Sequence, residues 1–249
     1  MSPAREEIER ARRALNAALA SLRLRVEGFS VLRARGRGPF VLLVGAVLSQ
    51  NTSDKNSSRA LENLIDAGLT SPEALAATPL EEIARLIEPA GLHNVRASNL
   101  KDLSVRLAVN ARLLEEVCVE EVDKARRSLM ELPGVGRKTA DIYLLFHCRR
   151  PVMPVDRHIV RITMRLLGRR ASYDETSELW ARASDYRVTE VEEAHLGLIE
   201  VGRRFCRPRD PHCTNCPLRS YCEYALRGSA RRRGIGRERR RSVGADRHE

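Results

Sequence analysis

Apolar residues recur at three- and four-residue steps along almost the whole chain, the spacing that lines one face of an α-helix. Ser2-Pro3 reads as a cap followed by proline at the first helical position, and Ile8, Ala11, Leu15, Ala18 and Leu22 continue in helical register. Ser71-Pro72 starts another helix in the same way. Thr78-Pro79 opens the next, which runs through Glu81, Glu82, Ile83, Leu86 and Ile87 until Pro89 and Gly91 close it. Thr189 and Glu192 have capping-box spacing ahead of the apolar stretch His195 to Val201. Strand signals are nearly absent: no period-two alternation lasts, and Asn-Gly and Gly-Asn turns do not occur. No repeat of solenoid length is visible. After Arg227 the periodicity stops, and the Gly/Arg/Ser tail reads as disordered. The pattern predicts an all-α protein.

A length of 249 residues leaves room for one large or two modest domains, and 43% hydrophobic with 31% charged residues is ordinary globular usage. The longest apolar run, Phe40 to Leu48, is about half of what a bilayer demands. Arg5, Arg10, Arg12 and Arg13 are interleaved with acids where a secretory signal would need an apolar core. An intracellular, cytoplasmic protein without a membrane anchor is expected.

Charge narrows the picture further. Lys and Arg number 44 against 33 acids, a net +11, and such a field suits a polyanion as readily as it suits a solvated surface. Eight arginines against three acids fall between Gly228 and Glu249. Lys occurs only at 55, 101, 124 and 138, and Gln only at 50, so arginine is the default cation. That bias fits heat adaptation or genomic base composition.

Cys206, Cys213, Cys216 and Cys222 have the spacing C-x6-C-x2-C-x5-C. In a chain with no secretory signal, a metal site is preferred over disulfides. Structural zinc usually pairs two C-x2-C knuckles and only Cys213 and Cys216 form one, so an iron–sulfur cluster is favoured and zinc is the alternative. Cys118 and Cys148 read as small core residues. A second motif is Leu132-Pro133-Gly134-Val135-Gly136-Arg137-Lys138-Thr139-Ala140. Two glycines one residue apart permit a tight hairpin whose amides open onto the next helix N-terminus, an arrangement that holds a phosphate. Lys138 follows directly. An amine can lose its proton and attack carbon, which guanidinium cannot, and both the helix dipole and Arg137 disfavour its protonated form. Third, Asp156 in Pro154-Val155-Asp156-Arg157-His158 precedes an apolar helical run, Ile159 to Leu167, and reads as a helix N-cap with a carboxylate to spare.

These three motifs in this order resemble the endonuclease III family of DNA base-excision glycosylases, members of the helix-hairpin-helix superfamily with a Gly/Pro-rich loop and an aspartate. The likeness runs from about Phe40 to Tyr224. It includes Leu48-Ser49 through Asp54, Gly91-Leu92-His93-Asn94, and Gly202-Arg203 before the first cluster cysteine. The resemblance implies two helical domains flanking a DNA-binding cleft: a six-helix barrel with the helix-hairpin-helix at residues 30–150, and a [4Fe-4S] cluster domain from 1–29 and 151–227. The basic tail would be 228–249. It further implies that Lys138 is the nucleophile and Asp156 the catalytic carboxylate, while the four cysteines hold the cluster. Gly134, Gly136, Arg137, Arg207 and Arg209 would grip DNA, and Leu92 and His158 would be pushed towards the vacated base. The family's glutamine two residues after Leu-Ser falls on Asn51, whereas this chain's glutamine is the preceding Gln50, so either one fills the gap.

A monomer acting on double-stranded DNA with a damaged base or abasic site is thus expected, excising an oxidised pyrimidine and nicking 3′ of the site. The alternatives are a mismatch-specific thymine, uracil or adenine glycosylase, or a non-catalytic iron–sulfur DNA-binding protein. Adenine-mismatch enzymes resemble the chain less, because they lack the hairpin lysine and use an acid where Pro39 to Ser53 contain none.

Overall fold

The computed structural model describes residues 3–22, 29–110 and 112–228. Ser2 and the tail beyond Gly228 lie outside these. Among the described residues, thirteen α-helices precede a last helical turn, in chain order: α1 (Pro3–Ser21), α2 (Ser30–Ala34), α3 (Pro39–Leu48), α4 (Asp54–Asp66), α5 (Pro72–Ala77), α6 (Leu80–Leu86), α7 (His93–Val109), α8 (Leu113–Val119), α9 (Val122–Met130), α10 (Arg137–Phe146), α11 (Arg157–Leu167), α12 (Tyr173–Ala183) and α13 (Val188–Arg204). Three 3-10 turns, Glu88–Ala90, Cys213–Asn215 and Arg219–Tyr221, and a last helical turn at 223–228 complete the described chain. Among the described residues there is no strand.

The residues gather into two compact units. One draws on Arg25–Pro154 and Tyr186–Glu192, the other on Met1–Leu24, Val155–Asp185 and Glu193–Glu249. The first is built around α3, whose Phe40 to Leu48 are all buried, which is why that run shows no polar face in the sequence. Each of its buried leucines contributes about 2 kcal/mol by leaving water. In the second unit Ala11, Leu15 and Ala18 of α1 and Leu22 just after it are buried, with Ala14 added and Ile8 half-buried. There Trp180 is fully buried, its indole N–H donating to the Thr163 hydroxyl at 2.7 Å, which in turn donates to the Ile159 carbonyl at 2.8 Å.

Local signals mark most helix starts. The Ser71 hydroxyl accepts from the Ala74 amide with Pro72 at the first turn, as the pattern predicts. The next helix starts a residue late: Thr78 spends its hydroxyl on the Ala74 carbonyl at 2.8 Å, and Pro79 takes the N-cap position. Gly91, at φ +72, ends the 3-10 turn Glu88–Ala90 in a conformation that suits glycine.

The Thr189–Glu192 capping box does not form. The helix already starts at Val188, and the buried Glu192 carboxylate accepts from Arg35 at 2.5 Å and from Arg149. A buried carboxylate gains more from two guanidiniums than from one exposed amide. The same pairing explains why residues 186–192 belong with the unit around α3 and not with the 151–227 segment assigned from the sequence.

Cys118 and Cys148 are not separate core residues but a disulfide, with Cα atoms 4.8 Å apart across 30 residues. The end of α8 meets the residues after α10 because the Tyr143 hydroxyl donates to Leu114 O at 2.8 Å and Arg150 donates to Cys118 O and Glu120 O at 3.2 and 2.9 Å. Closing a loop of this size removes chain entropy worth roughly 3–4 kcal/mol. Cys148→Ser is therefore expected to lower the melting temperature by several degrees under oxidising conditions. Under strong reductant the variant and the natural chain should melt together in a calorimetric scan.

Candidate active site

The hairpin lies between α9 and α10. The Glu121 carboxylate caps α9 by accepting from the Asp123 and Lys124 amides, and the fully buried Asp141 of α10 accepts from Arg126 of α9 at 2.7 Å. Burial works against the Arg126 charge, but its bonds to Asp141 and Asp123 outweigh that and hold its pKa above the usual value. The two helices are thereby locked, and the turn between them is set. Gly134 sits at φ +76, and a Cβ there would lie 3.2 Å from Asn99 Cβ, so both backbone and packing require glycine. Gly136 is extended and N-caps α10, and a Cβ on it would meet nothing within 4 Å. Arg137 and Lys138 form the first, half-buried turn, and everything from Thr139 to Phe146 is buried. Lys138 thus stands on the first turn, where the helix leaves its core and the helix dipole is positive.

Two further loops lie in the same unit. Gln50 is half-buried after α3, and its side-chain amide donates to Gly134 O at 2.8 Å and to Thr139 Oγ1 at 3.0 Å. Asn51 is exposed at φ +52. Leu92 stands at φ +51 with 69% of its surface exposed, an uncommon combination of strained backbone and bare apolar side chain that marks a functional candidate. Arg96, buried on α7, joins these loops: Nε donates to Gly91 O at 2.8 Å, Nη1 to Val47 O at 2.9 Å and Nη2 to Gln50 O. Burial pulls its pKa down.

In the other unit Asp156 N-caps α11, its Oδ1 accepting from the His158 and Ile159 amides, both at 2.8 Å. Both cap bonds use one oxygen, so Oδ2 takes no part in the cap. His158 is half-buried, with Nδ1 3.0 Å from Arg161 Nη2. A guanidinium only donates, so this contact is a hydrogen bond when Nδ1 carries no proton. Burial is the main cause lowering the His158 pKa, the Asp156 carboxylate opposes it, and the Arg161 and Arg157 charges act with burial. Gly202 of α13 makes room for this residue: a Cβ there would fall 2.5 Å from His158 Cβ. Gly202→Ala is expected to cost about 1–3 kcal/mol in overpacking and to displace the imidazole, seen as a lower melting temperature together with a shifted His158 NMR titration.

The four cysteines lie in this second unit, none in a disulfide and all half-buried. Arg165 touches both ends of the set. Its Nη1 donates to Cys206 Sγ at 3.3 Å, and the Cys222 thiol donates to its carbonyl at 3.3 Å. Arg161 Nε adds a bond to Cys206 O at 2.7 Å. Burial is the largest cause pushing the Cys216 thiol up to about 11; a backbone hydrogen bond from Leu218 works against it, and Cys206, Cys222 and Cys213 add to the rise. Burial raises Cys222 as well. Arg207 and Arg209 are exposed in the loop after Cys206. Among the described residues no three His, Cys, Asp or Glu side chains close on a single ion.

The structure therefore brings Gln50 to the hairpin and gathers the cysteines, while Asn51 and Leu92 point away from the core. Arg96 and Arg161 escaped the sequence analysis, in which Thr139 and Gly202 figure only as members of motifs, without a role of their own. For Arg96 a signal was present: it falls four residues before Leu100 on the stripe Leu100, Leu103, Leu107, a cation in core register.

Residues 44–184 match the HhH-GPD superfamily base excision DNA repair protein family. An endonuclease III from Thermotoga maritima is 33% identical over 214 residues, covering 82% of this chain and 89% of its own length. A thymine-DNA glycosylase from Aeropyrum pernix is 30% identical over 192 residues, covering 75% of this chain and 82% of its own. Among solved structures, a trapped endonuclease III–DNA covalent intermediate superposes with a TM-score of 0.71 at 27% identity, covering 89% of this chain and 98% of that one.

Proposed function

Because the chain belongs to the HhH-GPD superfamily of base excision DNA repair proteins, and within it to the endonuclease III family of DNA glycosylase/AP lyase enzymes, we propose that it excises oxidised pyrimidines from double-stranded DNA and nicks the strand by β-elimination. The observation that carries this reading is Lys138, an amine on the open first turn of α10 directly after the glycine hairpin. A solved relative is a covalent enzyme–DNA intermediate, and such a bond needs a nucleophile.

The damaged nucleotide leaves the stack, since its glycosidic bond is out of reach in the duplex. Lys138 Nζ, as free amine, forms a bond to C1′ while the C1′–base bond breaks, and the base leaves with that electron pair and takes up a proton. Asp156 Oδ2 stabilises the cationic sugar and assists proton transfer. Loss of the amine proton and ring opening give the imine, which acidifies the C2′ proton. Removal of that proton expels the 3′ phosphate oxygen, and the strand is cut 3′ of the lesion.

Gly134, Gly136 and Arg137 hold a backbone phosphate, for which the empty space over Gly136 leaves room. Arg207 and Arg209 take further phosphates, and Leu92, His158 and one of Gln50 and Asn51 occupy the emptied base position. Cys206, Cys213, Cys216 and Cys222 would hold a [4Fe-4S] cluster, which when bound ties this loop to the fold through four iron–thiolate bonds and offers a redox centre. Four half-buried cysteines spaced C-x6-C-x2-C-x5-C within one unit are a donor set that suits such a group. The protein works as a monomer in the cytoplasm, nucleoid-associated in a prokaryotic source.

The thymine-DNA glycosylase relative favours a second reading, removal of thymine from mismatches without lyase chemistry. Borohydride trapping on matched duplexes separates the two. An adduct and a 3′ nick on oxidised pyrimidine support the first reading, whereas base loss from a T·G mismatch with no adduct supports the second.

A further inference from the structure

Gln50 is the chain's single glutamine, and its side chain is turned inward. Gly134 O only accepts, so the group facing it at 2.8 Å is the amide NH2. The same nitrogen reaches Thr139 Oγ1 at 3.0 Å, on the buried residue directly after Lys138. One side chain thus clamps the hairpin on both sides of the amine. Its own backbone is held in turn, because Arg96 spends its guanidinium on Gln50 O, Val47 O and Gly91 O.

From this geometry we infer that Gln50 is a positioning residue for Lys138, fixing the turn that presents the amine, and is not the residue that fills the emptied base position. Arg96 serves as its anchor. Asn51, exposed at φ +52 one residue on, is left to face the DNA. The inference rests on the reading of Lys138 as nucleophile. Its physical content is that a nucleophile displaced by an ångström loses rate without losing grip.

Gln50→Met keeps length and volume and removes the donor, and Thr139→Val removes the acceptor. Each is expected to slow the single-turnover trapping rate at saturating enzyme by about ten- to a hundredfold while the dissociation constant for an uncleavable duplex stays within about twofold. The double variant should be no slower than the worse single one, because both break one clamp. Thr139→Ser, which restores the acceptor, should recover the natural rate. Independently of activity, amide hydrogen exchange across 134–139 should quicken in Gln50→Met.

A Gln50→Met protein that binds duplex tenfold more weakly at an unchanged saturated rate would show Gln50 to be a DNA contact and overturn the proposal. Unchanged exchange across the hairpin overturns it as well. If the natural chain forms no adduct on any lesion, the lyase reading has failed, and the exchange measurement still decides whether the clamp exists. Should Gln50→Met fail to fold, Thr139→Val against Thr139→Ser carries the same test.

Discussion

Lys138→Gln is expected to abolish the borohydride-stable adduct and the enzyme-initiated 3′ nick, a loss of at least several thousandfold in single-turnover cleavage, or roughly 5 kcal/mol and more of barrier. The side chain sits on the first turn of α10, ahead of the buried stretch from Thr139 to Phe146, so the substitution leaves the core untouched. Duplex binding should survive, because the hairpin amides are backbone groups. Lys138→Arg should be nearly as inactive, since guanidinium stays protonated near neutral pH and forms no imine. The comparison separates nucleophilicity from charge. Were the Lys138→Gln protein to trap at the natural rate, another nucleophile would carry the chemistry.

The second large effect belongs to Asp156. An asparagine at this position can still accept from the His158 and Ile159 amides and keep α11 capped, yet it brings no negative charge to the developing cation. Asp156→Asn is expected to reduce turnover by about a hundredfold or more, near 3 kcal/mol of transition-state stabilisation, with the gel-shift affinity for damaged duplex retained. Asp156→Ala loses the cap too and should melt earlier by an amount corresponding to about 1 kcal/mol. A rate for Asp156→Asn equal to that of the natural chain would leave the carboxylate with the cap alone.

These two effects are independent of how the turn beneath Lys138 is held, and the difference is measurable. Removing the nucleophile eliminates the adduct at any time, whereas loosening the Gln50 clamp only slows its formation. Partial rates with full amplitude at long times are the signature of misplacement.

The amino-acid sequence alone determined what depends on residues close together in the chain. Helical periodicity, the Ser71 and Asp156 caps and the Gly134 turn are decided within about four residues by backbone sterics and local hydrogen bonds, so they are legible without the fold. Lys138 and the four cysteines could be picked out because reactive side chains at fixed spacing carry chemistry that nearby residues disclose. What only tertiary structure decided is what distant segments do to one another. Cys118 and Cys148 lie 30 residues apart with no spacing signal, and they pair because Tyr143 and Arg150 hold the end of α8 beside the residues after α10. Glu192 has the spacing of a cap but is buried beside Arg35 and Arg149, and two charge-assisted bonds outweigh one exposed local bond. Gln50 and Asn51 are chemically alike neighbours, and the chain's turn after α3 sends one side chain to the hairpin and leaves the other exposed. Arg96 completes the contrast: a buried cation is tolerable only where folded backbone supplies acceptors, and its three carbonyls come from residues 47, 50 and 91.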